Sequence, residues 1–369
     1  MLLLLAGGMQ SGYAQEPYTV LSEENTKLTF YYDSQKESRG GVSIGLSEVS
    51  WRNARKSIKT VTFDTSFANC TSITSTAKWF AGFNNLTKIE GIKNLKTDNV
   101  TNMNCMFCEI KGEGILTSLD LSSFNTSKVT DMSEMFVEST ALKSINLSGF
   151  NTTNVTNMES MFADCESLTT LDLSSFNTSN VTNMKDMFRG CSSLTSLDLG
   201  SFNTSNVTNM EGIFRYCASL TSLDLSTFNI SKITDFLKTA NLSWYSSGGA
   251  GYLFSGCTSL TTIYVSDKWS IPVQTLLPQW GAMMFDQCTS LVGGQGTSYD
   301  AAHVDCTYAR IDKGTEAPGY FTSKSSETAI NTTISDNKKS SGIYNLRGQQ
   351  LTAPQKGINI IDGKKFMVK

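Results

Sequence analysis

The chain has 369 residues, long enough for one extended repeat array with short additions, and a formal net charge of −3. It has no basic stripe, which excludes nucleic acid as an expected partner. Only 17% of residues are charged while 39% are apolar, so the chain reads as folded and polar-surfaced rather than disordered.

The chain opens with an apolar patch, Leu2 to Leu5, and Tyr13-Ala14-Gln15 stands before the acidic Glu16. This reads as a signal peptide over 1–15, without the positively charged beginning such peptides usually carry. No internal apolar run approaches the roughly 20 residues that span a bilayer, so no transmembrane segment is expected. Residues 16–56 lack repeat wording and are expected to cap the array. In that stretch Thr26 to Asp33 alternates like a strand, and Arg39-Gly40-Gly41 marks a turn.

From 57 to 322 the same words recur. Leu168 begins LTTLDLSSFNTSNVTNMKDMFRGC, and close copies begin at Leu142 and Leu194. Phe136, Phe162, Phe188 and Phe214 are each 26 residues apart, a period that signals stacked units which cannot bury their apolar sides alone. Leu171 and Leu173 alternate with polar Thr170, Asp172 and Ser174, which predicts a half-exposed strand. Stacked strands would form a parallel sheet with rungs about 4.8 Å apart.

Met184, Met187, Phe188 and Cys191 fall at helical spacing, and Thr156 with Glu159 and Thr208 with Glu211 have capping-box spacing before such a face. Gly190 suits the helix exit. The Asn177, Asn180 and Asn183 columns are expected to satisfy backbone groups inside the bends. The fold expected is therefore an α/β solenoid of about eight coils, with Phe80, Phe107, Phe136, Phe162, Phe188, Phe214, Phe254 and Phe285 as anchors.

Two insertions break the period, one around NLSWYSSGGAGY and one around DKWSIPVQTLLPQW; in solenoids such loops emerge on one face, often the binding face. Thr307 to Ile311 reads as a last strand and Pro318-Gly319 as a closing turn. Residues 323–341 are Ser/Thr/Lys-rich and read as a linker. Residues 342–369 form a small β tail, with Asp362-Gly363 as a hairpin turn.

Little of the chain reads as catalytic. The single histidine, His303, has no zinc-ligand cluster around it. Gly41-Val42-Ser43-Ile44-Gly45 fits the G-x-S-x-G pattern but lacks a strand–turn–helix setting. Among nine cysteines, Cys165, Cys191, Cys217, Cys257 and Cys288 each follow a Phe anchor by three residues, and they are expected as one file of buried free thiols. Cys105-x-x-Cys108 is expected as a local disulfide or two thiols rather than a redox centre. The many N-x-S/T sequons follow from the repeat wording. No cofactor and no metal are expected.

The strongest candidate for binding is the outward strand row of Asp120, Asn146, Asp172, Asp198 and Asp224, flanked by hydroxyls such as Thr170, Ser196 and Ser222. Like charges on adjacent rungs repel, so the row costs stability unless a cation or basic partner offsets it. Its bland alternative is a solvated face whose Asp side chains bond to neighbouring Thr and Ser. A second candidate is the aromatic insertion with Trp244, Tyr245 and Tyr252, whose own alternative is that the rings cover a coil edge.

The pattern resembles a leucine-rich repeat, and the wording FNTSNVTNMxxMFxxCxSLTSLDLS is similar to BspA-like and mycoplasma-lipoprotein-type leucine-rich-repeat surface proteins over about residues 57–322. The segment LSEENTKLTFYYDSQKESRGG and the GGQGTSYDAAHVDCTYARIDKGTEAPGYFT ending are similar to that family too. The resemblance implies a right-handed solenoid, an extracellular or outer-surface location, and adhesion to a host or bacterial protein or glycan. The tail resembles C-terminal sorting tails of secreted Bacteroidetes proteins, though shorter, which implies a secretion machinery as a further partner. A featureless structural spacer and a hydrolase are the competing classes.

Overall fold

The computed structural model describes residues 15–45, 51–112, 115–233, 252–270 and 283–324, together with the backbone of four strands between 343 and 368. The chain divides into two compact units, Met1–Lys324 and Ser325–Lys369.

The first unit begins with a hairpin of β1 (Tyr18–Ser22) and β2 (Lys27–Tyr31), its turn made by Glu23, Glu24 and Asn25 in left-handed conformations. With β3 (Val42–Ser43), β4 (Thr60–Phe63) and β5 (Lys88–Glu90) it forms a sheet in the order β3-β1-β2-β4-β5. The hairpin thus covers the outer edge of the first repeat strand through parallel β2–β4 pairing. Beneath it Phe30, Trp51, Phe63, Phe67, Trp79 and Phe80 pack ring against ring.

The repeats lie one upon another. The Phe80–Phe107, Phe107–Phe136, Phe136–Phe162, Phe162–Phe188 and Phe188–Phe214 rings stack at 5.2, 5.9, 5.5, 5.9 and 6.0 Å. The file continues across both insertions, with Phe214–Phe254 at 6.0 Å and Phe254–Phe285 at 5.6 Å. Buried Leu, Val and Met files run beside it in one continuous core.

The helical expectation is overturned. Among the described residues there is no α-helix, only short 3-10 turns. Around the six Phe anchors from Phe80 to Phe214, the residues two before and two after adopt positive φ, for example Ser160 and Asp164 (52° and 57°), Asp186 and Gly190 (52° and 70°), Gly212 and Tyr216 (58° and 59°). Alternating right- and left-handed residues turn every second N–H toward the next coil. Met158, Ser160, Phe162 and Asp164 donate to the carbonyls of Asn183, Lys185, Met187 and Arg189 at 2.6–2.9 Å. The intervening N–H groups close tight turns, Met161 to Met158 and Ala163 to Ser160.

A segment this short is marginal as a helix, whereas here each of the five coil interfaces from Phe80 to Phe214 gains a ladder of four bonds. The capping boxes do not form either: the Glu159 and Glu211 N–H groups bond to Asn157 and Asn209 side chains, and Thr156 and Thr208 bond to the preceding coil. Gly190 is not a helix exit but one more left-handed position in the ladder.

The sheet is also smaller than expected. β6 (Ser118–Asp120) pairs with β7 (Ser144–Asn146), β8 (Ser222–Leu225) with β9 (Thr262–Val265), and β9 with β10 (Phe321–Ser323), all parallel. Residues 169–173 and 195–199 take no backbone hydrogen bonds from neighbouring coils. The expected strand over Thr307 to Ile311 is instead a 3-10 turn at Cys306–Tyr308, because the Asp305 side chain captures the Thr307 N–H at 2.8 Å; the last strand of this unit is β10.

In the second unit, β11 (Ile343–Asn345), β12 (Gln350–Leu351), β13 (Gly357–Ile361) and β14 (Lys364–Val368) form an antiparallel sheet ordered β12-β11-β13-β14.

One buried file binds the coils most directly. Thr152 donates to the Asn177 carbonyl (2.9 Å) and accepts the Asn177 N–H (2.8 Å); Thr126, Thr178 and Thr204 do the same to Asn151, Asn203 and Asn229. All four are fully buried. Thr178→Val is therefore expected to leave two backbone groups unpaired and to cost about 2 kcal/mol or more in urea unfolding, while exposed Thr182→Val changes stability by less than about 0.5 kcal/mol.

Candidate functional site

Strand alternation turns Leu119, Ile145, Leu171, Leu197 and Leu223 inward and leaves Asp120, Asn146, Asp172, Asp198 and Asp224 facing out. The five form one file, as the spacing predicts. Each side chain also closes an Asx turn onto the N–H two residues on: Ser122, Ser148, Ser174, Gly200 and Ser226, at 2.9–3.1 Å. Thr170, Ser196 and Ser222 lie exposed beside them.

The file is not electrically uniform. Asp120 takes a second bond from the Asn146 amide at 2.9 Å, and Asp224 is ion-paired with Lys324. Asp172 and Asp198 have no cationic partner among the described residues. The Ser174 backbone N–H holds the Asp172 carboxyl below its usual pKa, and that of Ser122 does the same for Asp120. At Asp224 burial works upward, but Lys324 and Ser226 outweigh it and the net shift is downward.

Charge and coil spacing go together. The strands pair where the Phe rings are 5.2–5.6 Å apart: β4–β5, β6–β7 and β8–β9. They are open where the rings are 5.9–6.0 Å apart. Every rung with an acid facing an acid (Glu90–Asp120, Asp172–Asp198, Asp198–Asp224) is open; every paired rung carries at most one acid. Across the gaps Ser175 and Ser201 hydroxyls reach the Leu147 and Leu173 carbonyls at 3.4 and 3.3 Å. No like-charge pair accounts for the gap between Asn146 and Asp172.

Of the other sequence candidates, Trp244 and Tyr245 lie outside the described residues. Tyr252 is half-buried and packs against the Arg215 guanidinium. His303 stacks on Tyr308 with Asp300 nearby, and no group of residues able to hold a metal occurs among the described residues. Ser43 lies on β3, not on a nucleophile elbow. It accepts a bond from Lys36 (2.6 Å), which is itself ion-paired with Glu16.

Cys105 and Cys108 form a disulfide, and the other seven cysteines are free and buried. The file has a use that periodicity alone did not disclose. Cys165, Cys191, Cys217, Cys257 and Cys288 donate S–H to the Phe carbonyl of the preceding coil at 3.0–3.2 Å, and Ser139 fills the same role with its hydroxyl toward Phe107. Burial pushes the Cys191 and Cys257 thiols up to about 12, so they are donors rather than nucleophiles.

Sequence reasoning also passed over the Thr126, Thr152, Thr178 and Thr204 file. Its signal was a Thr at a fixed place in four consecutive copies, read only as part of a sequon. Lys324, assigned to the linker, gave no signal at all for reaching Asp224, 100 positions earlier.

A stacked-repeat protein rich in short strands, with an exposed acidic file, is the class that this geometry defines. A family model described as "Mycoplasma protein of unknown function, DUF285" matches residues 50–170 and 143–242, more than half of the chain. The protein belongs to that family. No curated protein matches it. Among solved structures it is similar to a leucine-rich repeat protein from Bacteroides ovatus, at 14% identity over 77% of this chain and 82% of that one, with a TM-score of 0.33, too low to carry an argument.

Asp198→Asn removes one member of two like-charge pairs. It is expected to slow amide exchange at 195–199 as the strand ladder closes, and to raise the melting temperature. Cys191→Ser should be close to neutral, as Ser139 already is, whereas Cys191→Ala should cost about 1 kcal/mol for the lost bond.

Proposed function

We propose that the chain is a right-handed leucine-rich-repeat-type solenoid of the BspA-like kind, displayed outside the cell, that recognises a protein or glycan through the outward strand face. The observation that carries this reading is the Asp172–Asp198 pair: two exposed carboxylates on adjacent rungs without a cationic partner, beside exposed Thr and Ser. A basic or hydroxyl-rich ligand laid along them would offset the repulsion that opens the ladder.

The two insertions support the same role. The Phe file stays stacked across both, Phe214 on Phe254 and Phe254 on Phe285, and insertions into stacked repeats are often binding elements. The competing reading, a structural spacer, is favoured by the Asx turns, which give every Asp in the file a local task. We assign no catalytic role.

A screen of the purified chain against glycan and protein arrays, repeated with Asp172→Asn/Asp198→Asn, tests this. Recognition predicts a ligand whose affinity falls at least tenfold, a loss of about 1.4 kcal/mol, in the double variant without loss of fold. Equal binding by both proteins removes the strand face from consideration. Residues 342–369 are proposed as an export signal; their deletion should hold the protein inside the cell, and undiminished surface display would refute that.

A further inference from the structure

Along the ladder of Phe-flanking turns, Lys111, Lys185 and Arg189 are ion-paired, whereas Lys78 and Arg215 have no ion pair among the described residues. Lys111 is paired with Glu138, and Lys185 with Glu211 at 3.1 Å. Arg189 meets Asp164 of the preceding coil at 2.6 Å and Asp186 of its own coil at 3.8 Å. Arg215 stands one repeat after Arg189. The places of its two acids are taken by Gly190 and Gly212. Among the described residues Arg215 has no ion pair, and its Nε is buried without a hydrogen-bond partner. Asp186 and Glu211 lie close enough to feel its charge, but each is already paired with another cation.

Two tyrosines hold this guanidinium instead. It lies over the Tyr216 ring at 4.7 Å and the Tyr252 ring at 4.3 Å, and donates to the Tyr216 hydroxyl at 3.1 Å. Tyr216 is 41% exposed and adopts a φ of 59°, an uncommon conformation for so bulky a residue. Other coils place Gly82, Glu109, Glu138, Asp164, Gly190, Gly256 or Gln287 there. Gly256 makes the arrangement fit, since a Cβ on it would come within 2.2 Å of the Tyr216 ring. Met283, 45% exposed, occupies in the next coil the place that Tyr252 holds in its own.

We propose that Arg215, Tyr216, Tyr252 and Met283 form a second recognition site, on the turn face, for a carboxylate-bearing segment of a polypeptide partner. The two rings lie against the guanidinium and Nε is buried, which leaves the Nη1 and Nη2 end, with N–H groups beyond the one given to Tyr216, to meet a carboxylate. A sugar would need open ring surface, but the Tyr216 ring is already used by Gly256 and the guanidinium. Arg, Tyr and an exposed Met are the residues enriched at protein interfaces.

The inference takes the recognition reading as its premise but places the contact on a different face. The test is an array of acidic peptides, each paired with its Asn/Gln counterpart, beside an array of uronic- and sialic-acid glycans. It is probed with the full chain, Arg215→Gln, Arg215→Lys, and Asp172→Asn/Asp198→Asn. The expected result is preference for acidic peptides, a loss of about tenfold or more in Arg215→Gln at unchanged melting temperature, partial retention in Arg215→Lys, and full retention in the Asp variant. The proposal is overturned by no preference for acids, by binding that survives Arg215→Gln, or by binding of glycans alone. A ligand lost only in the Asp variant would sink this site and leave the strand-face reading standing.

Discussion

The distance between successive coils governs this protein. Three sets of bonds fix it from within: Thr hydroxyls gripping the next coil's Asn backbone, the alternating turn ladder, and S–H or O–H donors on Phe carbonyls. The Thr hydroxyls and the S–H and O–H donors are buried, where an unmade bond is expensive. The strand ladder faces water and yields first. Its net worth is about 1 kcal/mol per bond, similar to the repulsion of two exposed carboxylates a few ångströms apart. Side-chain charge can therefore decide whether a rung closes.

The turn ladder has a direction. Each coil donates N–H groups to the carbonyls of the next, so the first coil exposes acceptors and the last exposes donors. Both ends are closed. The Trp51 indole N–H caps the Trp79 carbonyl at 2.8 Å, and the Phe285 N–H finds the Val304 carbonyl at 2.9 Å. Beyond these, the β1–β2 hairpin and β10 cover the strand edges that would otherwise invite another chain. The end segments lack the repeat wording because their task differs: they satisfy one side of a coil rather than two.

Function follows from departures rather than from the consensus. The repeated residues Leu, Val, Met, Phe, Thr and Cys are spent on the interior and on coil-to-coil bonds. What distinguishes one rung from another is carried by a few positions: Asn146 for Asp, Lys324 at Asp224, Gly190 and Gly212 where Arg215 would have met an acid, and Tyr216 at a place others give to Glu, Asp, Gln or Gly. Those positions break the uniformity of the outer faces, and recognition needs such breaks.

Periodicity alone placed the Phe, Leu and Cys files and the outward Asp row, because a fixed period fixes which residues meet whenever identical units stack. It could not choose between a helix and an alternating-handed turn around each Phe. Met184, Met187, Phe188 and Cys191 share a side in both, and the decision rests on hydrogen bonds to a neighbouring coil that no single repeat contains. For the same reason the Thr file passed as sequons, and the open rungs at Asp172 and Asp198 stayed hidden. The pairing of Asp224 with Lys324 and the isolation of Arg215 likewise depend on what lies across a coil interface, and only the tertiary structure decides that.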